Sequence, residues 1–537
     1  MPGKQTDVTI LLFTLLLAGC FVAASQKMGS GKTQSQVGAK MTSAAPGLQL
    51  TASLKEPVLP LVSEQALDID LELRNNGSTE VTVPSVENDY TPSLRILGAD
   101  GRVLGEYVGA DRRDRVLGHT GTTAPPGPPD TIPLSPGKAE DTWVATWAYR
   151  DPLPPGKYAF EAVHKLGSSG PLLTSNRLSF DIVPAHVETL AMGHYGPDRA
   201  NTLMAWLATI AGAHESRLLV RQSGFTGNTV AQIGATPHGE FPSNSRLAMA
   251  AMSPDANFPT LSWMAVVSGS TVQLIQLNMS TLQWRSKPIP LPISDAVPIP
   301  RFPNRGPAVF LAAGKSQSGP ALTGVVASSD TESHKVWTIP LQFQPAFTAC
   351  AFSMQGPITV LLASDDGQVS RLHRIDVTQD GTIVAPEREL AKSENSVLGV
   401  VTDMWSGHQP VFFVLEANRA QPNQVAWMRV PVEGPPQRSG LGVIAGWPTS
   451  PGPEHKPERP NQVALDIGRD GMPWLALLDS RGNLIGGKAT SSLDMLLEAK
   501  THRCLLPQVS TVVRGVTISC FDETGMLVHA SGGAAGH

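Results

Sequence analysis

The feature that most limits what this chain can fold into is a hairpin-like unit that recurs through its C-terminal two thirds. Its clearest copy is Pro473 to Lys488, PWLALLDSRGNLIGGK. There an apolar run, Trp474 to Leu478, meets a polar turn, Asp479 to Asn483, and a weaker strand follows. Asp, Ser and Gly between two strand-like runs is hairpin chemistry, because Gly tolerates φ > 0 and Asp bonds its own turn backbone. From about His186 onward, comparable apolar runs begin near Trp206, Trp263, Leu322, Val360, Phe412, Trp474 and Val516. Their partners begin near Leu218, Val272, Lys335, Val369, Gln424, Asn483 and Met526. Successive units lie about 52 residues apart, the size of a propeller blade. Proline-rich segments such as Lys287 to Pro307 and Pro451 to Pro460 fall between units, where blade connections belong.

Residues 186–537 are therefore expected to form a β-propeller of seven blades; one or two further β-sandwiches would give the same pattern. Little chain follows the last unit. The outermost strand of its blade is expected to come from His186 to Met192, which would close the ring and hide an edge.

Composition agrees with an all-β protein. Charged residues make up only 16% of the 537, and 50 glycines and 46 prolines supply turns. The formal net charge is −5 and no Lys/Arg cluster occurs, which argues against nucleic-acid binding.

At the N-terminus, Val8 to Leu17 (VTILLFTLLL) has signal-peptide length and is short for a membrane span. Leu17-Ala18-Gly19-Cys20 follows. It resembles the lipobox of bacterial lipoproteins at every position, with Lys4 the one basic residue before it. The resemblance implies removal of residues 1–19, lipidation of Cys20 and, because Phe21 rather than Asp follows, delivery to the outer membrane. An ordinary secretory signal is the other reading. Residues 20–47 carry the cysteine and a Ser/Gly/Lys/Gln-rich tether. Its MGSGKT (Met28 to Thr33) ends like a Walker A loop, but the first Gly would fall at Gln26 and no strand precedes it.

Residues 48–183 hold short alternating strands: Asp68 to Leu73, Glu80 to Val83, Leu94 to Leu97, Trp143 to Tyr149, Tyr158 to Val163 and Leu178 to Ile182. They predict a β-sandwich. DLELRNNGSTEVTV and PLPPGKYAFEA are similar to bacterial immunoglobulin-like domains. Trp143, Trp147 and Tyr149 share a strand face, as core or as a platform for a sugar. SFDIVPAHVETL marks a boundary between Val183 and Leu190, with separable domains on either side.

No catalytic motif stands out. HExxH and GxSxG are absent, the 13 histidines are scattered, and GLGVIAG (Gly440 to Gly446) has the wrong spacing for a dinucleotide loop. His373, in RLHRID, reads as a surface residue, and Cys350 as a buried free thiol. Cys504 and Cys520 could pair. A turn at Arg514-Gly515 would instead set Cys520 opposite Gln508 or Val509, with Cys504 out of reach. The hairpin turns at Asp365, Asp366, Asn418, Asp479, Arg481, Asp522 and Glu523 should share one end of the propeller. That acidic end is the candidate binding face, suited to a basic or cation-bridged partner, although hairpins need Asp and Gly for backbone reasons alone.

The sequence thus points to a membrane-anchored, non-catalytic binding or scaffolding module for a protein or glycan, without cofactor or metal. The alternative is a propeller hydrolase acting on a glycan, which would need a carboxylate pair near an arginine or tyrosine at the channel.

Overall fold

Apolar runs such as Val411–Ala417, buried at every position, need cover on both faces of their sheet, and the chain supplies it by stacking sheets side by side. The computed structural model describes residues 47–54, 60–65, 68–86, 93–107, 131–145, 153–166, 170–195, 199, 201–226, 229–232, 236–252, 261–278, 284–304, 307–327, 334–352, 356–403, 410–439, 442–443, 463–478, 483–489, 493–499, 504–512 and 515–533. The leader, Cys20 and the tether lie outside these residues, as do Trp147, Tyr149, Asp479 and Arg481. Every regular element among the described residues is a β-strand.

The first part is two sheets around one core. Leu48–Leu54, Asp68–Asn75 and Ala139–Ala145 make one sheet. Gly156–Lys165, Ser93–Gly98 and Leu178–Val183 are the centre of the other. Alternation puts Leu50, Ile69 and Leu71 from the first against Ile96, Phe160 and Phe180 from the second, all buried.

The second part is a succession of antiparallel meanders from an inner to an outer strand, two of which join into one nine-stranded sheet where Arg246–Met252 pairs parallel with Arg301–Asn304. The inner strands are Ala185–Tyr195, Arg246–Met252, Ser294–Pro298 with Arg301–Asn304, Phe347–Phe352, Ser396–Asp403, Val463–Ile467 and Leu505–Val512. Each inner strand lies against the next, and Leu505–Val512 returns to touch Ala185–Tyr195. One apolar cluster fills each space between neighbouring sheets, including the space between last and first. A ring of radially stacked meanders is a β-propeller.

The apolar runs picked out by sequence are mostly the second strands, Asn201–Ile210, Leu261–Ser268, Ile358–Asp365, Val411–Ala417, Pro473–Leu478 and Gly515–Phe521. One unit is out of step. Leu322 belongs to Gly319–Ala327, the third strand of its sheet, because Ala308–Ser316 precedes it as an equally buried second strand. His373 is corrected too: it is buried, its Nδ1 2.8 Å from Glu387 Oε1 and its ring edge-on to Phe343.

Ring closure differs from the expectation. His186 to Met192 pairs with Asn201–Ile210 and is the inner strand of the first sheet, not the outer strand of the last. Ten residues of the segment, from Ala185 to Tyr195, find antiparallel partners in Asn201–Ile210. The last sheet, Leu505–Val512, Gly515–Phe521 and Leu527–Gly533, keeps three strands among the described residues. Contact across the seam is local: the Ala185 N–H donates to Thr524 O at 3.1 Å. Gly525 beside it has φ +80°, and a Cβ there would lie 2.5 Å from Ala185 O, so only glycine fits this approach.

The seam is clasped by the sandwich. Residues 62–65 form a turn in which the Gln65 N–H donates to Val62 O. Glu64 sits at its third position with φ +68°, a conformation that non-glycine residues adopt at a cost of about 1–2 kcal/mol. Its Oε2 is 3.3 Å from Arg221 Nη1 on Glu215–Thr226 of the first sheet, and both side chains are buried. Its Oε1 accepts from the Leu527 N–H of the last sheet at 3.3 Å. Arg217 Nη1 donates to Pro60 O and, at 3.1 Å, to Gln65 Oε1. Trp206 of the first sheet packs on Phe521 of the last, centroids 5.3 Å apart, with Val62 of the sandwich in the same cluster. Residues 41–537 form one compact unit, so the parts described on either side of Pro184 are stitched together.

The last inner strand also carries the disulfide. A bulge of one extra residue separates the pairs Leu505↔Phe521 and Gln508↔Ser519, with Leu506 at φ +53°. Cys520 therefore faces the bulge rather than Gln508 or Val509, and Cys504 is bonded to it with Cα atoms 5.8 Å apart. This corrects the register that put Cys504 out of reach. Cys350 is free and buried.

Glu64→Gln removes the charge facing buried Arg221 and is expected to lower unfolding free energy by about 3–5 kcal/mol. Glu64→Gly relieves the positive φ yet should also destabilise, because the carboxylate does the joining. Urea denaturation of both variants checks this; a glycine variant as stable as wild type would show that the turn, not the clasp, matters.

Candidate functional site

The inner strands end around a group of charged side chains inside the ring. Asp466, next to last in Val463–Ile467, has a fully buried side chain. Its Oδ1 accepts from Arg199 Nη1 at 3.0 Å and Arg301 Nη1 at 3.2 Å. Its Oδ2 accepts from the Thr511 N–H at 2.9 Å and Thr511 Oγ1 at 2.8 Å, and lies 3.2 Å from His194 Nε2. Arg199 comes from the connection after the first inner strand, with φ +54°. His194 lies on that strand, and Arg301 and Thr511 on the inner strands of the third and last meanders. Asp403, ending another inner strand, acts on Arg199 through space.

Burial works to raise the Asp466 carboxyl, but Arg199, Arg301 and His194 outweigh it and hold the group well below the usual carboxylate range. Burial pushes His194 down to about 4 against the pull of Asp466, and the two arginines add to the lowering. His194 is thus neutral near pH 7. Thr202 Oγ1 is 3.3 Å from its Nδ1.

A cavity of ≈ 570 Å³ occupies the ring, lined by the first halves of the inner strands. It draws on Glu188–Met192, Ala346–Cys350, Leu398–Thr402, Val463–Leu465 and Leu506–Gln508, and Arg301 reaches it as well. Arg301 therefore belongs both to the cavity wall and to the charged group around Asp466. The volume falls in the small-molecule range. Asp466, with every lone pair engaged and no exposed atom, can neither touch a ligand nor donate a proton to one; Arg301, with a side chain 20% exposed, can bind.

The turn residues singled out by sequence have local work. Asp365 Oδ1 accepts from the Gly367 N–H at 2.9 Å and from Arg419 Nη2 of the next sheet at 2.7 Å. Asp366 accepts from the Gln368 and Val369 N–H groups, and Asn418 from those of Ala420 and Gln421. Asp522 Oδ1 takes the N–H groups of Thr524 and Met526, while Glu523 is exposed in the same turn. Asp365 and the Asn418 turn meet through Arg419; Asp479 and Arg481 lie outside the described residues. These bonds are the Asx-type turn contacts that hairpins make. Sequence reasoning missed Arg199, His194, Arg301 and Asp466. The one signal is an acid inside the otherwise apolar run VALDI.

No family model matches the chain, and no curated protein matches it. Solved structures similar to it include the β-propeller domain of the Trilobed protease from Pyrococcus furiosus, 9% identical over 66% of this chain and 94% of that one, TM-score 0.36. A fucose-specific lectin from Aleuria aurantia is 9% identical over 59% and 97%, TM-score 0.38. Kuenenia stuttgartiensis hydrazine synthase is 12% identical over 65% and 96%, TM-score 0.39.

His194 provides a pH test. Its pKa is lower folded than unfolded, so its stabilising contribution is complete above pH 6.5 and is lost as pH falls through about 4. A shift of that size corresponds to a loss on the order of 3 kcal/mol. His194→Gln should flatten the pH dependence of unfolding free energy across this window, leaving the steeper loss at lower pH that Asp466 contributes. An unchanged slope between pH 6.5 and 4 would contradict the buried neutral imidazole.

Proposed function

We propose that the protein is a lipid-anchored, non-catalytic binding module of the cell envelope, with an immunoglobulin-like sandwich followed by a seven-bladed propeller whose channel takes the ligand. The observation that carries this reading is the cavity: its walls come from every inner strand, and its lining includes Arg301, which Asp466 holds in place. The lipobox-like Leu17 to Cys20 supports an anchor in the outer membrane. The 20–47 tether would give a reach of roughly 25–30 Å, enough to hold the module clear of the headgroups. The turns bearing Asp365, Asp366, Asn418 and Asp522 are the other candidate binding surface. Arg419 and Arg371 already pair with the first two acids, which makes the channel the better binding surface.

A glycan hydrolase would need an acid with a raised pKa facing its substrate. Asp466 is held in the opposite direction and is sealed off, so its pairing with Arg199 does not make a catalytic acid of it.

Gln508 lines the cavity and is half-buried, so Gln508→Trp should fill the channel without breaking an apolar contact. A fragment screen by ligand-observed NMR is expected to give binders to wild type that this variant loses. Cys20→Ser should leave an uncleaved or a soluble form, and wild type found entirely in the soluble fraction would remove the anchor. Binding indifferent to Gln508→Trp would remove the channel from the account, and glycan turnover abolished by one carboxylate change would overturn the non-catalytic reading.

A further inference from the structure

We infer that Arg301 makes the channel a receptor for the carboxylate of a small, otherwise apolar ligand, an inference that rests on the channel being the binding site. Arg301 Nη1 is fixed on Asp466 Oδ1 at 3.2 Å. Among the described residues its Nε and Nη2 have no acceptor, although the side chain lines the cavity. Asp466 cannot satisfy them, since Arg199 shares its Oδ1 and Thr511 takes Oδ2. The guanidinium is thus held by one nitrogen and offers the rest of its fork to the cavity. A planar carboxylate matches two parallel N–H donors, and such charge-assisted bonds are the stronger kind.

The charge around the cavity agrees. Its wall carries two guanidinium groups, Arg246 and Arg301, against one carboxylate, Glu188. Leu190, Phe347, Leu398, Leu465 and Leu506 supply apolar surface. A compact apolar body ending in a carboxylate fits this division.

Benzoate and its neutral counterpart benzamide test it, because they differ in charge and hardly in shape. By titration calorimetry on the full chain, benzoate should bind about tenfold or more tightly than benzamide. Arg301→Gln should erase that preference, bringing the benzoate-to-benzamide affinity ratio close to one. Arg301→Lys, which keeps the charge but not the fork, should retain only part of it. If the variants fail to fold, the wild-type comparison still decides. Equal affinity for the two probes overturns the carboxylate receptor while leaving the channel as a binding site. Inorganic phosphate displacing benzoate as well as unlabelled benzoate does would overturn the selectivity for carboxylate. Failure of both probes to bind overturns both readings.

Discussion

A carboxylate buried at the centre of the ring sets the terms for the rest of the structure. Asp466 is separated in sequence from Arg199 by 267 positions and from Arg301 by 165, yet one of its oxygens bonds both. An unpaired buried charge is strongly unfavourable, so the first, third, sixth and last meanders must converge for the Asp466 ion to exist at all. The two arginines offset its burial, and Thr511 engages the second oxygen. Once the sheets are so placed, the apolar faces between them have their partners, and the space left inside is the cavity.

Closure is the second constraint, and the chain meets it without completing the last sheet from its own start. The sandwich lends Glu64 and Val62 to the seam, where Trp206 and Phe521 supply the apolar contact. The backbone conformation of Glu64 is the local cost of reaching both edges with one carboxylate. A ring held at its seam and at its centre gives fixed walls, and fixed walls favour binding because little ordering is left for the ligand to impose.

Much of the fold was legible in the sequence, for a physical reason. Second strands such as Ile358–Asp365 and Val411–Ala417 lie between two neighbouring sheets and are apolar on both faces, so they appear as uninterrupted runs. Outer strands such as Ile383–Ser393, largely exposed, leave no such mark. That difference explains why the unit at Leu322 was read one strand late, and why His186 to Met192 was assigned to the wrong edge. The bulge at Leu506 was invisible for a related reason: one extra residue changes register without changing composition. The channel group was not legible at all. Arg199, His194, Arg301 and Asp466 stand alone in sequence, and only the ring brings them together. The turn acids, conspicuous in sequence, serve their own hairpins.

The central claim is that Asp466 couples sheets distant in sequence, and a double-mutant cycle tests it most directly. Urea denaturation of wild type, Asp466→Asn, Arg199→Met and the double variant gives the coupling free energy. The account predicts a coupling of about 1.5 kcal/mol or more, with the double variant less destabilised than the two single effects added together. Additivity within about 0.5 kcal/mol would show that the two residues stabilise the ring independently, and would contradict the account.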